Sequence, residues 1–154
     1  MVVCNCFFII FVLLNPKDKM EKEFVPYEPS LALKELGFDE PCLAWFAETK
    51  KLQIAPETYK KWTSKPCNNS NIINEFNVDC ITAPTFSQAF RFFREKYKIH
   101  SIINLTIIGT WYFELYDLND KRNAEIKTNQ NEFETPEEAE LACLIELIEI
   151  VKNK

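Results

Sequence analysis

The end of this chain constrains its fold more than any other stretch. Thr135-Pro136-Glu137-Glu138 followed by AELACLIELIEIVK spells a helix that runs to about Lys152. Thr135 suits the N-cap, Pro136 the first helical position, and Glu138, three residues after the cap, completes a capping box. Leu141, Leu144, Ile145, Ile148 and Val151 form one apolar stripe, and Ala139, Cys143, Leu147 and Ile150 widen it to well over half of the circumference. A helix this apolar has to be packed into a core. Glu138, Glu146 and Glu149 are expected on its solvated side.

The rest of the chain supplies partners for that helix. Thr82-Ala83-Pro84 opens a second helix, TFSQAFRFFREKY, which places Phe86, Ala89, Phe90, Phe93 and Tyr97 at i, i+3, i+4, i+7 and i+11, the spacing of a core-facing stripe. Three strands are expected next, over Ile99–Ile107, Thr110–Leu118 and Asn123–Thr128, with turns at Gly109 and at Asn119-Asp120-Lys121. Alternation sets Trp111, Phe113 and Leu115 toward the core and Tyr112, Glu114 and Tyr116 away from it. Tyr112 and Tyr116 are then either an exposed pair or packed beneath the N-terminal helix. That helix is PSLALKEL, carried by Leu31, Ala32, Leu33 and Leu36. Pro29 falls in its first turn, and Gly37 stands in the left-handed position after its end.

Cys42–Glu48 and Leu52–Ala55 read as a hairpin around Thr49-Lys50-Lys51. Residues 56–80, with Pro56, Pro66 and the polar CNNSN run, are expected to be a long surface loop with one helical turn at Glu57–Trp62. The fold class is α+β: a small antiparallel sheet with an N-terminal hairpin, packed by a central amphipathic helix and a C-terminal helix. The expected domain is residues 20–154.

Residues 1–19 are read separately. Val2–Leu14 is an apolar run of 13 residues, short of the 17–25 that a spanning helix takes. It lacks a charged n-region and a small-residue cleavage site. MEKEFVPYE, from Met20, looks like a natural start, so the preferred reading is upstream sequence translated from a misassigned start codon, or a disordered extension. A membrane or export segment and a packed N-terminal strand are the alternatives.

Composition narrows the chemistry. The chain has 154 residues and a formal net charge of −5, which disfavours nucleic-acid binding over the whole surface. Its two glycines, Gly37 and Gly109, argue against a glycine-rich phosphate loop. The six cysteines, Cys4, Cys6, Cys42, Cys67, Cys80 and Cys143, contain no CxxC pair, and His100 is the single histidine. No metal, cofactor or catalytic constellation is expected from such spacing. Scattered cysteines suit a reducing compartment.

Two basic features remain as candidate interaction surfaces. Arg91, Arg94 and Lys98 recur at i, i+3 and i+7 on the second helix, with Lys96 nearby. They use two of the chain's three arginines, which the lysine- and asparagine-rich bias of an AT-rich coding sequence does not explain. The face could meet phosphate or an acidic partner; the plainer reading is a solvated face with an Arg91–Glu95 ion pair. Lys60, Lys61 and Trp62 form the second feature, a basic loop with an interleaved aromatic. There the plainer reading is a solvated loop with Trp62 tucked onto the core.

Two resemblances add expectations. The order helix–strand–strand–strand–helix over 84–152 resembles the topology of double-stranded-RNA-binding domains. Where that family carries lysines at the start of its last helix, this chain has Pro136-Glu137-Glu138-Ala139-Glu140, which would repel RNA. FVPYEPSLALKELGFDEPC (24–42), APTFSQAFRFFREKY (83–97) and PEEAELACLIELIEIVK (136–152) together resemble a family of small proteins of phages, prophages and mobile elements in Bacteroidetes-type bacteria. The resemblance implies a phage-encoded protein in the bacterial host cytoplasm and no catalytic residue. The expected function is therefore that of a non-enzymatic accessory protein, without cofactor or membrane, that binds a host or phage macromolecule. A protein partner is preferred, and nucleic acid held by the Arg91/Arg94/Lys98 face is the alternative.

Overall fold

A computed structural model describes residues 20–54, 81–120, 125–128 and 132–153. Residues 1–19 and the stretch 56–80 expected as a loop with a turn at Glu57–Trp62, and with them Lys60, Lys61 and Trp62, lie outside the described residues. The described elements are α1 (Tyr27–Glu35), β1 (Ala44–Phe46), β2 (Leu52–Ile54), β3 (Ile81–Ala83), α2 (Phe86–Phe92), a π-helical turn (Phe93–Tyr97), β4 (Ile99–Leu105), β5 (Trp111–Asp117), β6 (Glu125–Thr128) and α3 (Pro136–Lys152). They form an α+β fold with two three-stranded antiparallel sheets, ordered β2-β1-β3 and β4-β5-β6.

Local chemistry sets the helix ends. Pro29 falls in the first turn of α1, where a missing N–H costs nothing. Its C-terminus closes with two bonds, Gly37 N–H to the Lys34 carbonyl and Phe38 N–H to the Leu33 carbonyl, both 2.9 Å. This is a Schellman cap, with Gly37 at φ +83° and the apolar pair Leu33 and Phe38 both buried. In α2, the Thr85 hydroxyl accepts from the Gln88 N–H at 3.3 Å, and the Gln88 side chain accepts from the Thr85 N–H at 3.1 Å. In α3, Thr135 caps as expected, accepting from the Glu138 N–H at 3.2 Å. The Glu138 carboxylate reaches one residue further back than a capping box requires, to the Glu134 N–H at 3.2 Å.

Two cores result. The larger gathers Leu33 of α1, Phe92 and Phe93, Ile99 of β4, Phe113 and Leu115 of β5, and Cys143, Leu144, Leu147 and Ile148 of α3. The smaller joins Phe24, Ala44, Phe46, Ile81 and Ala83, with Tyr27 and Leu31 of α1 against them. Helix α1 thus contributes one side to each core. Residues 23–25 run antiparallel to 84–86, fixed by Val25 N–H to the Pro84 carbonyl (2.9 Å) and Phe86 N–H to the Glu23 carbonyl (3.3 Å).

Three expectations change. Ile81-Thr82-Ala83 pairs with β1 as a strand, and the helix begins only after Thr85. Hence a strand ending at proline precedes the helix, in keeping with the extended backbone that a residue before proline prefers. On α3 the buried line is Ala139, Cys143, Leu144, Leu147 and Ile148, while Ile145 is exposed. At about 100° per residue, that line lies roughly a quarter turn from the Leu141–Val151 stripe. An arc this broadly apolar dictates burial but leaves the packed meridian to the sheet beneath. Third, the helical stripe omits Phe92, which is buried against Phe38 (ring centroids 5.3 Å) and Tyr97 (5.7 Å). The π-helical turn starts immediately after it, and π spacing brings residues five apart into register.

Candidate interaction surfaces

The basic face is partly spent on the fold. Arg91 forms an ion pair with Glu40, which sits in the loop after α1, rather than with Glu95 one turn away. The bond and the attraction of that carboxylate raise the Arg91 pKa above its ordinary value. Both partners are on the surface, so the pair tethers the loop while contributing little stability. Lys96 donates to the Leu36 carbonyl at 2.7 Å, and the Tyr97 hydroxyl donates to the same oxygen at 3.1 Å. The ammonium also stands over the rings of Phe92 (5.1 Å) and Tyr97 (5.4 Å). It therefore caps the negative end of α1.

Lys98 takes the left-handed conformation, φ +58°, that ends the π-helical turn. The wider turn and this break carry Lys98 off the line of Arg91 and Arg94, so the i, i+3, i+7 face does not form one continuous stripe. Arg94 and Lys98 are exposed, and neither has an ion-pair partner among the described residues.

An acidic cleft lies between the N-terminal segment, the start of α2 and the start of α3. Lys22, Glu23, Thr85, Phe86, Glu137 and Glu140 line a space of about 180 Å³. Glu140 falls on the buried side of α3, and partial burial raises its pKa, with repulsion from Glu137 and Glu23 adding to the rise.

The second sheet has two unlike faces. One is packed by α3, and Lys127 of β6 pairs there with Glu146. On that side burial pushes the Cys143 thiol up to about 12, against a hydrogen bond with Ser101 that lowers it. Such a thiol stays protonated and unreactive at neutral pH. The opposite face carries Tyr112, Glu114 and Tyr116 of β5, with Asn104, Ile102 and His100 of β4 directly across. One Glu114 oxygen accepts from Asn104 (3.1 Å) and from the Tyr116 hydroxyl (2.8 Å). Tyr112 and Tyr116 are both half-buried, and Tyr116 belongs to this network. His100 faces Tyr116 rather than a nucleophile.

The β4–β5 hairpin turns at Gly109 as expected, but the turn takes in Ile107 and Ile108 as well. The expected strand runs through Ile107, but β4 ends at Leu105. Gly109, at φ +89°, closes the loop by donating to the Thr106 carbonyl at 3.2 Å. Thr106 N–H bonds the Thr110 carbonyl at 2.7 Å, and the two threonine hydroxyls bond each other at 2.7 Å. Ile107 and Ile108 occupy the apex, fully exposed and 70% exposed, and Leu105 below them is 57% exposed. The available signal was two isoleucines just before a glycine, where turns ordinarily carry polar residues.

No helix among the described residues is long and apolar enough to cross a membrane. Comparison with family models, with curated proteins and with solved structures finds no match.

Proposed function

We propose that this chain is a non-enzymatic accessory protein of phage type, acting in the bacterial host cytoplasm by binding a host or phage protein. The observation that carries the reading is the group of large apolar side chains held in solvent on a hydrogen-bonded hairpin: Leu105, Ile107 and Ile108. A soluble surface rarely concentrates aliphatic side chains at a loop apex unless something covers them. The sequence resemblance to phage and mobile-element proteins points to the compartment.

Tagged full-length chain recovered from host cells, treated with nuclease and sized by light scattering, tests this. The expected result is a stoichiometric complex with a second protein that survives nuclease. A chain recovered only as itself contradicts it.

Arg94 and Lys98, exposed and without an ion-pair partner among the described residues, favour a second reading, a nucleic-acid binder on that face. It requires affinity that falls steeply with salt and disappears on charge reversal of both residues. Salt-insensitive or absent binding in a gel shift removes it.

A further inference from the structure

We infer that the apex of the β4–β5 hairpin is the anchor of the protein interface. Its complement is a concave apolar pocket, rimmed by lysine or arginine, on a different protein. The inference rests on the protein-binding reading above and assigns the surface.

Three observations carry it. First, the apex is cross-braced by hydrogen bonds within the chain itself. Two backbone bonds and the Thr106–Thr110 hydroxyl pair close it, and Gly109 supplies the left-handed position. An anchor already held in shape gives up little freedom on binding. Second, the apex is convex and small. Three aliphatic side chains offer on the order of 300 Å², well short of the about 800 Å² per partner of a standard interface. Two tips paired across a twofold axis would bury only about 600 Å² in total, short of a standard interface, so a second copy of this chain is a poor occupant. A pocket that swallows the two isoleucines is a good one, since binding energy concentrates in such fully desolvated anchors.

Third, the charges around the apex select the partner. No charged side chain lies between His100 and Glu114. Trp111, opposite Leu105 in the hairpin, exchanges two 2.8 Å backbone bonds with Phe133. This sets the exposed Glu132 and Glu134 beside the tip end of the sheet. A greasy tip with an acidic border matches a basic-rimmed pocket. It does not match an anionic bilayer, which attracts lysine and arginine.

The test uses the full chain carrying photoreactive p-benzoylphenylalanine at position 108, and at exposed Gln53 of β2 as a control. Each is irradiated in host lysate, and separately with phosphatidylcholine or phosphatidylglycerol vesicles. The expected result is one protein cross-linked from position 108, with the attachment mapping to an apolar segment bordered by lysine or arginine. Unlabelled wild type should compete. The Ile107→Ser/Ile108→Ser variant should compete at least tenfold less well while melting at the same temperature. Glu132→Lys/Glu134→Lys should weaken competition several-fold. Equal competition by the serine variant, cross-linking to itself, or capture by vesicles overturns the assignment. Cross-linking from position 53 alone overturns the assignment and leaves the protein-binding reading intact; silence at both positions together with no complex overturns both.

Discussion

The two sheets differ in what holds them. Strands β1, β2 and β3 are three residues each, and β3 joins from 27 positions beyond the end of β2. Among the described residues, their core is five buried side chains with two of them alanine. Strands β4 and β5 are seven residues each, joined by a tight turn, with α3 across them and fourteen buried residues in their core. The first sheet joins segments far apart in sequence around the smaller of the two described cores. The second closes a short loop around the larger one. Stability should follow the second sheet, and the first should behave as its dependent.

The largest expected effect sharpens that contrast. Phe113 is fully buried in the larger core, and Phe113→Ala should cost about 4 kcal/mol and lower the urea midpoint of the whole protein. Phe46, in the smaller core with 6% exposure, should cost less, about 3 kcal/mol, and should loosen β1–β3 before the rest. Equal costs with one shared transition would break the comparison.

The difference in packing also explains what was readable in the chain. Helix α3 is written in adjacent residues, a capping threonine, a proline and a broad apolar arc, while the sheet beneath selects which line of that arc is buried. The C-terminal end of α1 was equally plain, because Gly37 stands where a left-handed residue completes the cap, whereas the helix starts at Tyr27, two residues before the PSLALKEL run. Strand β3 was hidden because Ile81-Thr82-Ala83 has no pattern of its own. It is a strand only because Ala44–Phe46 pairs with it. The basic face misled for a related reason. Helical spacing put Arg91, Arg94 and Lys98 together, whereas a π-helical turn and a partner 51 residues away, Glu40, divide them. The hairpin apex was legible in composition but was absorbed into a strand, because isoleucine is a strand former.

A middle-sized effect probes the junction between the two cores. Gly37→Ala forces a Cβ into φ +83° and brings it to 3.0 Å from the Lys96 ammonium. It should cost about 1–2 kcal/mol, read by thermal unfolding. Gly109→Ala meets no atom within 4 Å at φ +89° and should cost the strain alone. A Gly37→Ala no worse than Gly109→Ala would remove Lys96 from the account of α1's end.

The smallest effect depends on pH. The Glu140 pKa lies above its ordinary 4.5 in the folded protein because of partial burial, then Glu137 and Glu23. The folded state therefore binds that proton more tightly than the unfolded chain. Keeping Glu140 charged costs stability above the folded pKa, and the cost fades as pH falls through it. Glu140→Gln should stabilise by about 0.5 kcal/mol at pH 7, a value kept small by solvent screening. The advantage should shrink to nothing in acid; an advantage that grows as pH falls would reverse the sign.

Residue-by-residue amide hydrogen exchange at neutral pH tests the account at its centre, a stiff second sheet presenting an apolar apex. The N–H groups of Thr106 and Trp111, bonded across the hairpin and to Phe133, should exchange as slowly as those of Phe113 and Leu115, and more slowly than those of β1 and β3. An apex that exchanges freely, or a first sheet as protected as the second, would contradict it.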